Sequence, residues 1–529
     1  MKIKDINVKM ILDSRGKETL EAVMFAERSG QGKTQNGAEG DGDISAGASV
    51  PSGKSTGSHE VFVLEPEKAL IKFAGIKAEI LSKDFKDQRE FDDFLIALDG
   101  SPDLSEGDKG RDPSEYLRMT KSSHSEKSEE SHNSNMRSFV GLRMTERFAQ
   151  DDNEQKPLIN SGDKEGPKQG KSNLGGNLIL ALSLSFARLM AKTNNQELWE
   201  YIKENSKFQI PNSKFPFPIF NVINGGEHAH NKLTFQEFQV IPYVKDFGMA
   251  LSIGQEFYKK LGRLLEDKFG KDNITLGDEA GYSAPFESDE QAIEIIYDLI
   301  RLKNYPLRIG LDCAATSFWQ SEESGGMEDA GSRGKKSPKP PFGKGAESGY
   351  YLIGDKKYSP EELTQHYLDL IERYNIVSIE DPFYEEAFGN FAELTRELAH
   401  KGTRENPLYP PLERGQDAEE KNILVITDDL TTTNSRRLQK AIGEKSGNAI
   451  LIKLNQIGSL TETLDVIKIA YENNWKAVVS HRSGETMDDF IADLAYAVSA
   501  WGIKAGAPAK PERMAKYNRL LKIFLSQTP

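Results

Sequence analysis

Charged and polar side chains follow six short apolar segments of the chain, each at the point where a predicted strand ends. In chain order these side chains are Asp312, Glu380, Asp428, Lys453, the triplet His481–Ser483, and Lys504. An ionisable group at the end of a buried strand is costly unless it is paired or bound to a ligand. A single residue of this kind is more often structural, but six in succession indicate a functional site.

Three of these residues are carboxylates that could bind one metal ion together. Asp312, Glu380 and Asp428 follow separate strands, and the carboxyl ends of barrel strands meet on one face. Three carboxylates form a hard-cation site, which suits Mg²⁺ with water and substrate completing the octahedron. The sequence therefore predicts a magnesium centre.

The remaining strand-end residues supply basic and anion-binding groups. Lys453 and Lys504 are predicted to face the same mouth, and a lysine beside cations can have a lowered pKa and act as a base. His481, Arg482 and Ser483 are consecutive and can together hold a phosphate or a carboxylate. The combination favours proton abstraction next to a metal-bound carboxylate.

The apolar segments predict the elements that position these groups. Eight are typical of buried strands: Pro218–Ile223, Glu237–Pro242, Arg308–Asp312, Ile376–Glu380, Ile423–Thr427, Ala449–Leu454, Ala477–Ser480 and Gly502–Ala505. Most are followed by amphipathic helices, such as Pro360–Tyr374 and Thr461–Asn473, whereas no helix separates the first two strands. We therefore expect an α/β fold with a closed (β/α)8 barrel.

A smaller α+β domain is predicted before the barrel. Strands are expected at Ile3–Leu12, Leu20–Ala26 and Val61–Leu64, and the apolar segment Asn177–Lys192 predicts a helix. We place the N-terminal domain at residues 1–205 and the barrel at 206–529. Four stretches rich in Gly, Ser and charged residues are interpreted as insertions, near 27–43, 101–171, 321–348 and 399–421.

The overall composition excludes several functional classes. The chain has 529 residues, a formal net charge of −14 and one cysteine, so no intrachain disulfide is possible. Nucleic acids and anionic membrane surfaces reward clustered positive charge, so neither is an expected partner. The N-terminal residues lack the apolar core of a signal peptide, and no apolar run is long enough to span a bilayer. We expect a soluble, cytoplasmic protein.

Ten segments of the chain resemble, in the same order, the signature segments of the enolase family. They are ILDSRG (11–16), VPSGKSTG (50–57), NVINGGEHAHNK (221–232), QEF (236–238), GDEAG (277–281), SIEDPF (378–383), DDLTTTN (428–434), IKLNQIGS (452–459), SHRSGET (480–486) and IKAGAP (503–508). A lysine or histidine base with one or two Mg²⁺ ions is the arrangement known for that superfamily. The resemblance implies an enolase-type barrel with a ββαα start, and Mg²⁺-dependent dehydration of 2-phosphoglycerate to phosphoenolpyruvate in glycolysis. It also implies a homodimer, possibly a higher oligomer.

The resemblance further implies roles for individual residues. Lys453 would be the base that takes the C2 proton, and Glu279, with Glu237 beside it, the acid that protonates the departing C3 hydroxyl. Lys504 would stabilise the charge that develops on the substrate carboxylate. His228, on a closing loop, and His481 would line the site.

Metal and substrate ligands are implied in the same way. Asp312, Glu380 and Asp428 would hold a first Mg²⁺, and Ser55 would help to hold a second ion that arrives with substrate. The substrate contacts would come from Gln236, Glu237, His228, Lys453, Arg482, Ser483 and Lys504, with Arg482 and Ser483 on the phosphate. Some positions depart from the family pattern, namely Lys17 and Glu18 in DSRGKE, Glu227, His230, Ala280 and Ser317, but none carries an assigned chemical group.

Other interpretations remain open at this stage. The chain could instead be a related enzyme with the same barrel that abstracts a proton from a different carboxylate substrate. A panel of substrates would distinguish the two. A non-enzymatic scaffold could use the long charged loops as its binding surface. Residues 48–55 also match a loose phosphate-loop pattern, but the preceding stretch is polar and the following HEVFVLEP is interpreted as a strand, which disfavours nucleotide binding.

Overall fold

The computed structural model describes residues 1–27, 43–53, 58–100, 170–210, 215–321, 349–401 and 423–527. Most of each predicted insertion, and the predicted metal ligand Ser55, lie outside these residues. Within the described ranges, no helix is both long enough and apolar enough to cross a membrane.

The N-terminal part combines an antiparallel sheet with helices. Its elements are β1 (Asp5–Leu12), β2 (Glu18–Ala26), β3 (Ile44–Ser49), α1 (Pro66–Leu81), α2 (Gln88–Asp99), α3 (Gly176–Thr193) and α4 (Leu198–Asn205). The sheet order is β1-β2-β3, and α3 packs on β2 and β3. Nearly every side chain of α3 is buried, which agrees with the helix predicted over 177–192.

The third strand was not where the sequence predicted it. Residues 61–64 form no regular strand, whereas β3 lies in a stretch that we interpreted as polar and flexible. β3 pairs with β2 from Ile44 to Ser49, and its small residues Ala46 and Ala48 are buried under α3. Close packing under a helix favours small side chains, so tertiary contacts outweigh weak strand propensity here.

This difference also corrects the argument used against a phosphate loop. The segment 48–55 does continue from a strand, and among the described residues the next regular element is helix α1 rather than a strand. The helix begins only at Pro66, so further residues separate it from the segment along the chain. The nucleotide-binding interpretation remains disfavoured on that separation, because a true phosphate loop leads directly into its helix.

The C-terminal part alternates strands and helices around a closed barrel. The barrel strands are β4 (Phe217–Asn224), β5 (Glu237–Pro242), β8 (Leu307–Asp312), β12 (Ile376–Glu380), β13 (Leu424–Thr427), β14 (Ala449–Ile452), β15 (Lys476–Ser480) and β16 (Gly502–Lys504). Short strands β6 (Thr275–Leu276), β7 (Tyr282–Ser283), β9 (Trp319–Ser321), β10 (Gly349–Ile353) and β11 (Lys356–Tyr358) lie in the connections. The helices are α5 (Phe247–Phe269), α6 (Asp289–Lys303), α7 (Pro360–Tyr374), α8 (Phe388–Lys401), α9 (Ser435–Glu444), α10 (Leu454–Ile457), α11 (Leu460–Glu472), α12 (Phe490–Ala497) and α13 (Pro511–Gln527).

Strand pairing confirms the predicted barrel and its irregular start. β4 and β5 are antiparallel, β5 and β8 are antiparallel, and the remaining neighbours are parallel. Pairing of β16 with β4 closes the sheet. All eight predicted barrel strands are present, with ends that differ from the predicted ones by two residues at most.

The alternation of side chains along the strands explains why polar groups collect at one mouth. A cluster that includes Leu424, Ile426, Ala449 and Leu451 packs separately from the larger core and fills the barrel interior. Successive strand residues point to opposite faces. Asp428 and Lys453 therefore continue the interior-facing rows of β13 and β14 just beyond the strand ends.

Candidate active site

A buried lysine gathers carboxylates from three barrel strands. Lys504 Nζ lies 2.8 Å from Asp312 Oδ2, 2.9 Å from Glu380 Oε1 and 3.1 Å from Glu237 Oε2. All four side chains are almost completely buried. Burial alone lowers the pKa of Lys504, but the three carboxylates outweigh it and hold that pKa well above its usual value. Lys504 is therefore a fixed positive charge at the centre of the mouth.

A second lysine pairs with the third predicted metal ligand. Lys453 Nζ donates to Asp428 Oδ2, and Gln456 Nε2 donates to Asp428 Oδ1 at 3.1 Å. Burial lowers the pKa of Lys453, but the charge of Asp428 outweighs burial, so its pKa lies above the usual value.

The predicted metal-binding trio is only partly assembled. Asp312 and Glu380 are paired neighbours on β8 and β12 and share Lys504, whereas Asp428 is turned towards Lys453. Two sets of three among the described residues have ligand atoms within 4.8 Å of one another: His228, Glu237 and Glu279, and Asp381, Asp428 and Asp429. The predicted trio is not one of these sets, although Asp428 belongs to one.

The side chain of Asp381 fixes the backbone at Asp428 and Asp429. Its side-chain oxygens accept hydrogen bonds from the backbone amides of Asp428 at 2.9 Å and Asp429 at 2.7 Å. Asp381 itself has a positive φ of 41°, which is uncommon for a residue with a side chain. It therefore orients the turn after β13.

Two glutamates beside Lys504 form a hydrogen-bonded pair. Glu237 is hydrogen bonded to Glu279, and burial together with the charge of Glu279 holds the pKa of Glu237 well above its usual value. Gln239 Nε2 donates to Glu237 Oε2 at 2.9 Å, and Asn221 Nδ2 donates to Glu279 Oε2 at 2.9 Å. Amide donors thus contact both members of the pair.

Two histidines lie against Glu279 and lower its pKa. His481 Nε2 is 3.4 Å from Glu279 Oε2, and His228 Nδ1 is 3.7 Å from Glu279 Oε1. Burial raises the pKa of Glu279, but these imidazoles outweigh it and hold that pKa well below its usual value. Burial lowers the pKa of His481 itself to about 4, whereas the neighbouring Glu279 raises it.

The predicted anion-binding triplet lies beside this network. Arg482 makes a two-point ion pair with Glu60, with Nη1–Oε2 at 3.0 Å and Nη2–Oε1 at 3.1 Å. Its Nη1 also donates to Asn455 Oδ1 at 2.9 Å. Arg15 Nη1 donates to Ser483 Oγ at 3.3 Å, so the N-terminal part of the chain borders this corner.

The remaining predicted residues are placed less directly. Gln236 lies immediately before β5 and is half-buried, with its backbone amide bound to the carbonyl of Asp312 at 2.9 Å. His228 ends a short 3₁₀ turn over Gly226–His228. His59 contacts Glu386 at 2.8 Å and Arg437 at 2.8 Å. Ser55 lies outside the described residues.

Several residues of the site were not singled out from the sequence. They are Glu60, Asn221, Gln239, Asn455 and Arg513. Arg513 is fully buried and donates to the carbonyls of Arg482 at 2.8 Å and Ser483 at 2.6 Å. Asn221 and Gln239 interrupt otherwise apolar strands, and that interruption could have identified them. Glu60 and Arg513 carry no such signal, because neither follows a predicted strand.

Comparison with known proteins extends over both parts of the chain. Residues 212–403 and 412–526 match the family described as Enolase, C-terminal TIM barrel domain. Residues 3–107 match the family described as Enolase, N-terminal domain.

Curated proteins of similar sequence carry the same family name. The protein named Enolase from Methanocaldococcus jannaschii is 32% identical over 98% of this chain and 94% of its own length. Those named Enolase from Methanococcus maripaludis and Methanosarcina mazei are 31% and 32% identical, over 98% and 99% of this chain and 94% of their own lengths.

Proposed function

The chain belongs to the enolase family, and from this premise we propose that it catalyses the reversible, Mg²⁺-dependent dehydration of 2-phosphoglycerate to phosphoenolpyruvate in glycolysis. The observation that carries the proposal is the buried group at the barrel mouth. There Lys504 joins Asp312, Glu380 and Glu237, beside the Lys453–Asp428 pair.

A divalent cation fits the donor set of this mouth. Asp312, Glu380 and Asp428 offer only oxygen atoms and are buried, and burial with the charge of Asp312 raises the pKa of Glu380 well above its usual value. So many buried carboxylates require compensating positive charge. These three residues would hold a first Mg²⁺, and Ser55 would help to hold a second. When bound, the ions would supply positive charge that stabilises the substrate carboxylate.

Removal of the C2 proton is assigned to Lys453. Loss of that proton places a second negative charge on the substrate carboxylate, which makes the proton very weakly acidic. Lys504 offsets this charge, because its raised pKa keeps it protonated and its burial removes screening by water. The two lysines thus have separate tasks: Lys453 moves a proton, and Lys504 stabilises charge.

Protonation of the departing C3 hydroxyl is assigned to the Glu237–Glu279 pair. Glu279 would face the leaving group, and Glu237 would store a proton, because its pKa is raised. His228, in contact range of both glutamates, and His481 would orient Glu279. Two carboxyl groups in unlike surroundings commonly divide acid and base roles in this way.

The substrate phosphate is assigned to Arg482 and Ser483. A guanidinium can bind two phosphate oxygens at once, and a hydroxyl adds a further donor. Arg513 holds the backbone of both residues through their carbonyls, which fixes where their side chains begin. Gln236 would contact the substrate from the rim.

The organisation of the protein is also part of the proposal. We place the domain boundary between residues 205 and 206, and we expect a cytoplasmic homodimer, possibly a higher oligomer, with 2-phosphoglycerate as its small-molecule partner. The family resemblance supports each of these statements. Light scattering of the purified chain would test the oligomeric state.

A direct assay tests the activity. The purified chain with Mg²⁺ and 2-phosphoglycerate should produce the ultraviolet absorbance of the enol product, and EDTA should abolish the increase. Lys453→Ala should lose turnover while retaining the native circular dichroism spectrum. The proposal would be contradicted if a folded wild-type sample showed no turnover and EDTA did not change its absorbance.

A further inference from the structure

The connection between β3 and α1 places one carboxylate inside the site. In the described part of this connection, Glu60 is the only acidic residue that contacts Arg482. The side chains of Glu60 and Arg482 are 4% and 5% exposed. Both guanidinium Nη atoms donate to it, at 3.0 and 3.1 Å. A buried two-point pair of this kind fixes the plane of the guanidinium as well as its position.

Glu60 also borders the loop that carries Lys453. Arg482 Nη1 donates to Asn455 Oδ1 at 2.9 Å, and the amide of Val61 donates to the carbonyl of Gln456 at 3.0 Å. Gln456 Nε2 lies 3.5 Å from Glu60 Oε1 and donates to Asp428 Oδ1 at 3.1 Å. A continuous set of contacts therefore joins Glu60 to both the anion-binding corner and the Lys453–Asp428 pair.

We propose that Glu60 is a positioning residue that sets the orientation of the Arg482 guanidinium for the substrate phosphate. This inference rests on the proposed function, since it assigns Arg482 to the phosphate. Glu60 acts through Arg482 and takes no part in proton transfer. A carboxylate is needed, because an amide offers one acceptor oxygen where Arg482 presents two donors, and the amide nitrogen would oppose the second donor.

Kinetics of two substitutions in the full chain test this role. For Glu60→Gln we expect the KM for 2-phosphoglycerate to rise about tenfold and kcat to change less than about threefold, which corresponds to weakened ground-state binding. Glu60→Asp keeps the charge on a shorter stem and should recover part of the lost affinity. The inhibition constant of inorganic phosphate should rise in parallel with KM, because phosphate probes the Arg482 corner alone.

A matched control separates this effect from general changes in charge. Glu65→Gln removes a carboxylate from the same connection, but that carboxylate is exposed and paired only with Lys68 among the contacts described for it. It should leave KM and phosphate inhibition unchanged. Melting temperatures of all three variants should show that each is folded at the assay temperature.

Two results would overturn the inference. Unchanged KM and phosphate inhibition in Glu60→Gln would show that Arg482 is positioned without Glu60. Tighter phosphate binding in Glu60→Gln would show that Glu60 competes with the anion instead of orienting its ligand. Absence of turnover in the wild type would contradict the proposed function. The role of Glu60 could still be decided by calorimetry, which would compare phosphate binding to the wild type and to Glu60→Gln.

Discussion

Ala280 adopts a backbone conformation that usually favours glycine, directly after the proposed acid Glu279. Its φ is +68°, and a side chain in this region costs roughly 1 kcal/mol or more. Ala280→Gly should therefore stabilise the native protein by about 1 kcal/mol through relief of this backbone cost. Part of this gain is offset, because glycine has more conformational entropy in the unfolded state. Urea unfolding would measure the change.

Gly100→Ala is the matched substitution in the opposite direction, from glycine to alanine. Gly100 has a similar φ of +59° and no heavy atom closer than 3.9 Å to an added Cβ, so Gly100→Ala introduces the same conformational cost without a clash. It should destabilise the protein by a similar amount. Equal stability of Ala280→Gly and wild type, together with a destabilised Gly100→Ala, would indicate that the turn at Ala280 relaxes to avoid the cost.

Gly281 leaves room for the amides that hold the proposed acid. A Cβ at this position would lie 2.4 Å from Asn224 Oδ1 and 3.1 Å from Asn221 Oδ1, and Asn221 donates to Glu279. Gly281→Ala should shift Glu279 and lower kcat on the order of 100-fold, since small displacements in an active site have effects of that size. Gly389→Ala, in helix α8 with no neighbour within 4 Å, is the control and should retain activity. Wild-type kcat in Gly281→Ala would contradict the positioning described for Asn221.

Among the elements, the barrel strands could be predicted because each one is a short apolar run that ends in a charged residue. Asp312, Glu380 and Lys504 lie within or directly at the ends of β8, β12 and β16, as expected. β3 could not be predicted, because its small residues have no strand pattern and depend on packing under α3. Glu60 and Arg513 could not be identified either, since only the closed fold brings the β3–α1 connection and helix α13 to the mouth.

Helices α2 and α11 meet through a buried carboxylate that should make stability depend on pH. Asp92 accepts hydrogen bonds from the amide of Thr461 at 2.9 Å and from Gln88 at 3.0 Å. Burial raises the pKa of Asp92 to about 6. A raised native pKa means that the native state binds the proton more tightly, so the contribution to stability is complete below about pH 4 and is lost as the pH rises through 6.

Asp92→Asn should remove this pH dependence. Between pH 4 and pH 7 the wild type should lose about 2 kcal/mol of unfolding free energy relative to the variant, which follows from a pKa shift of about two units. Asp465→Asn, at the partly exposed Arg89 pair between the same helices, keeps Asp92 and should retain the wild-type slope. Parallel pH profiles for wild type and Asp92→Asn would show that Asp92 does not titrate in this range.

At the scale of the whole molecule, the N-terminal part and the barrel share the site and are held together by buried polar contacts. Arg188 of α3 pairs with Asp488 at 2.5 Å and with Asp489 at 2.7 Å, and Ser52 bridges to Gly484 through the backbone. Sequence motifs suggested both parts, because ILDSRG and VPSGKSTG precede the barrel. The contacts themselves join residues hundreds of positions apart, so no local pattern could predict them.

Metal binding should stabilise the native chain as a whole. A cation bound only by the native carboxylates at 100 times its dissociation constant adds about 2.7 kcal/mol. The melting temperature should therefore rise with Mg²⁺ and fall again with EDTA. Glu380→Gln should lose most of this rise, whereas Glu361→Gln, at the exposed start of α7, should keep it. An equal rise in both variants would place the stabilising ion elsewhere.

Hydrogen exchange at C2 of 2-phosphoglycerate, followed by NMR in D₂O, tests the division of labour between base and acid most directly. Glu279→Gln should still exchange the C2 proton while forming little phosphoenolpyruvate, because Lys453 can remove the proton without the leaving-group acid. Lys453→Ala should show neither exchange nor product. Exchange at the wild-type rate in Lys453→Ala would contradict the assignment of Lys453 as the base at the mouth of the barrel.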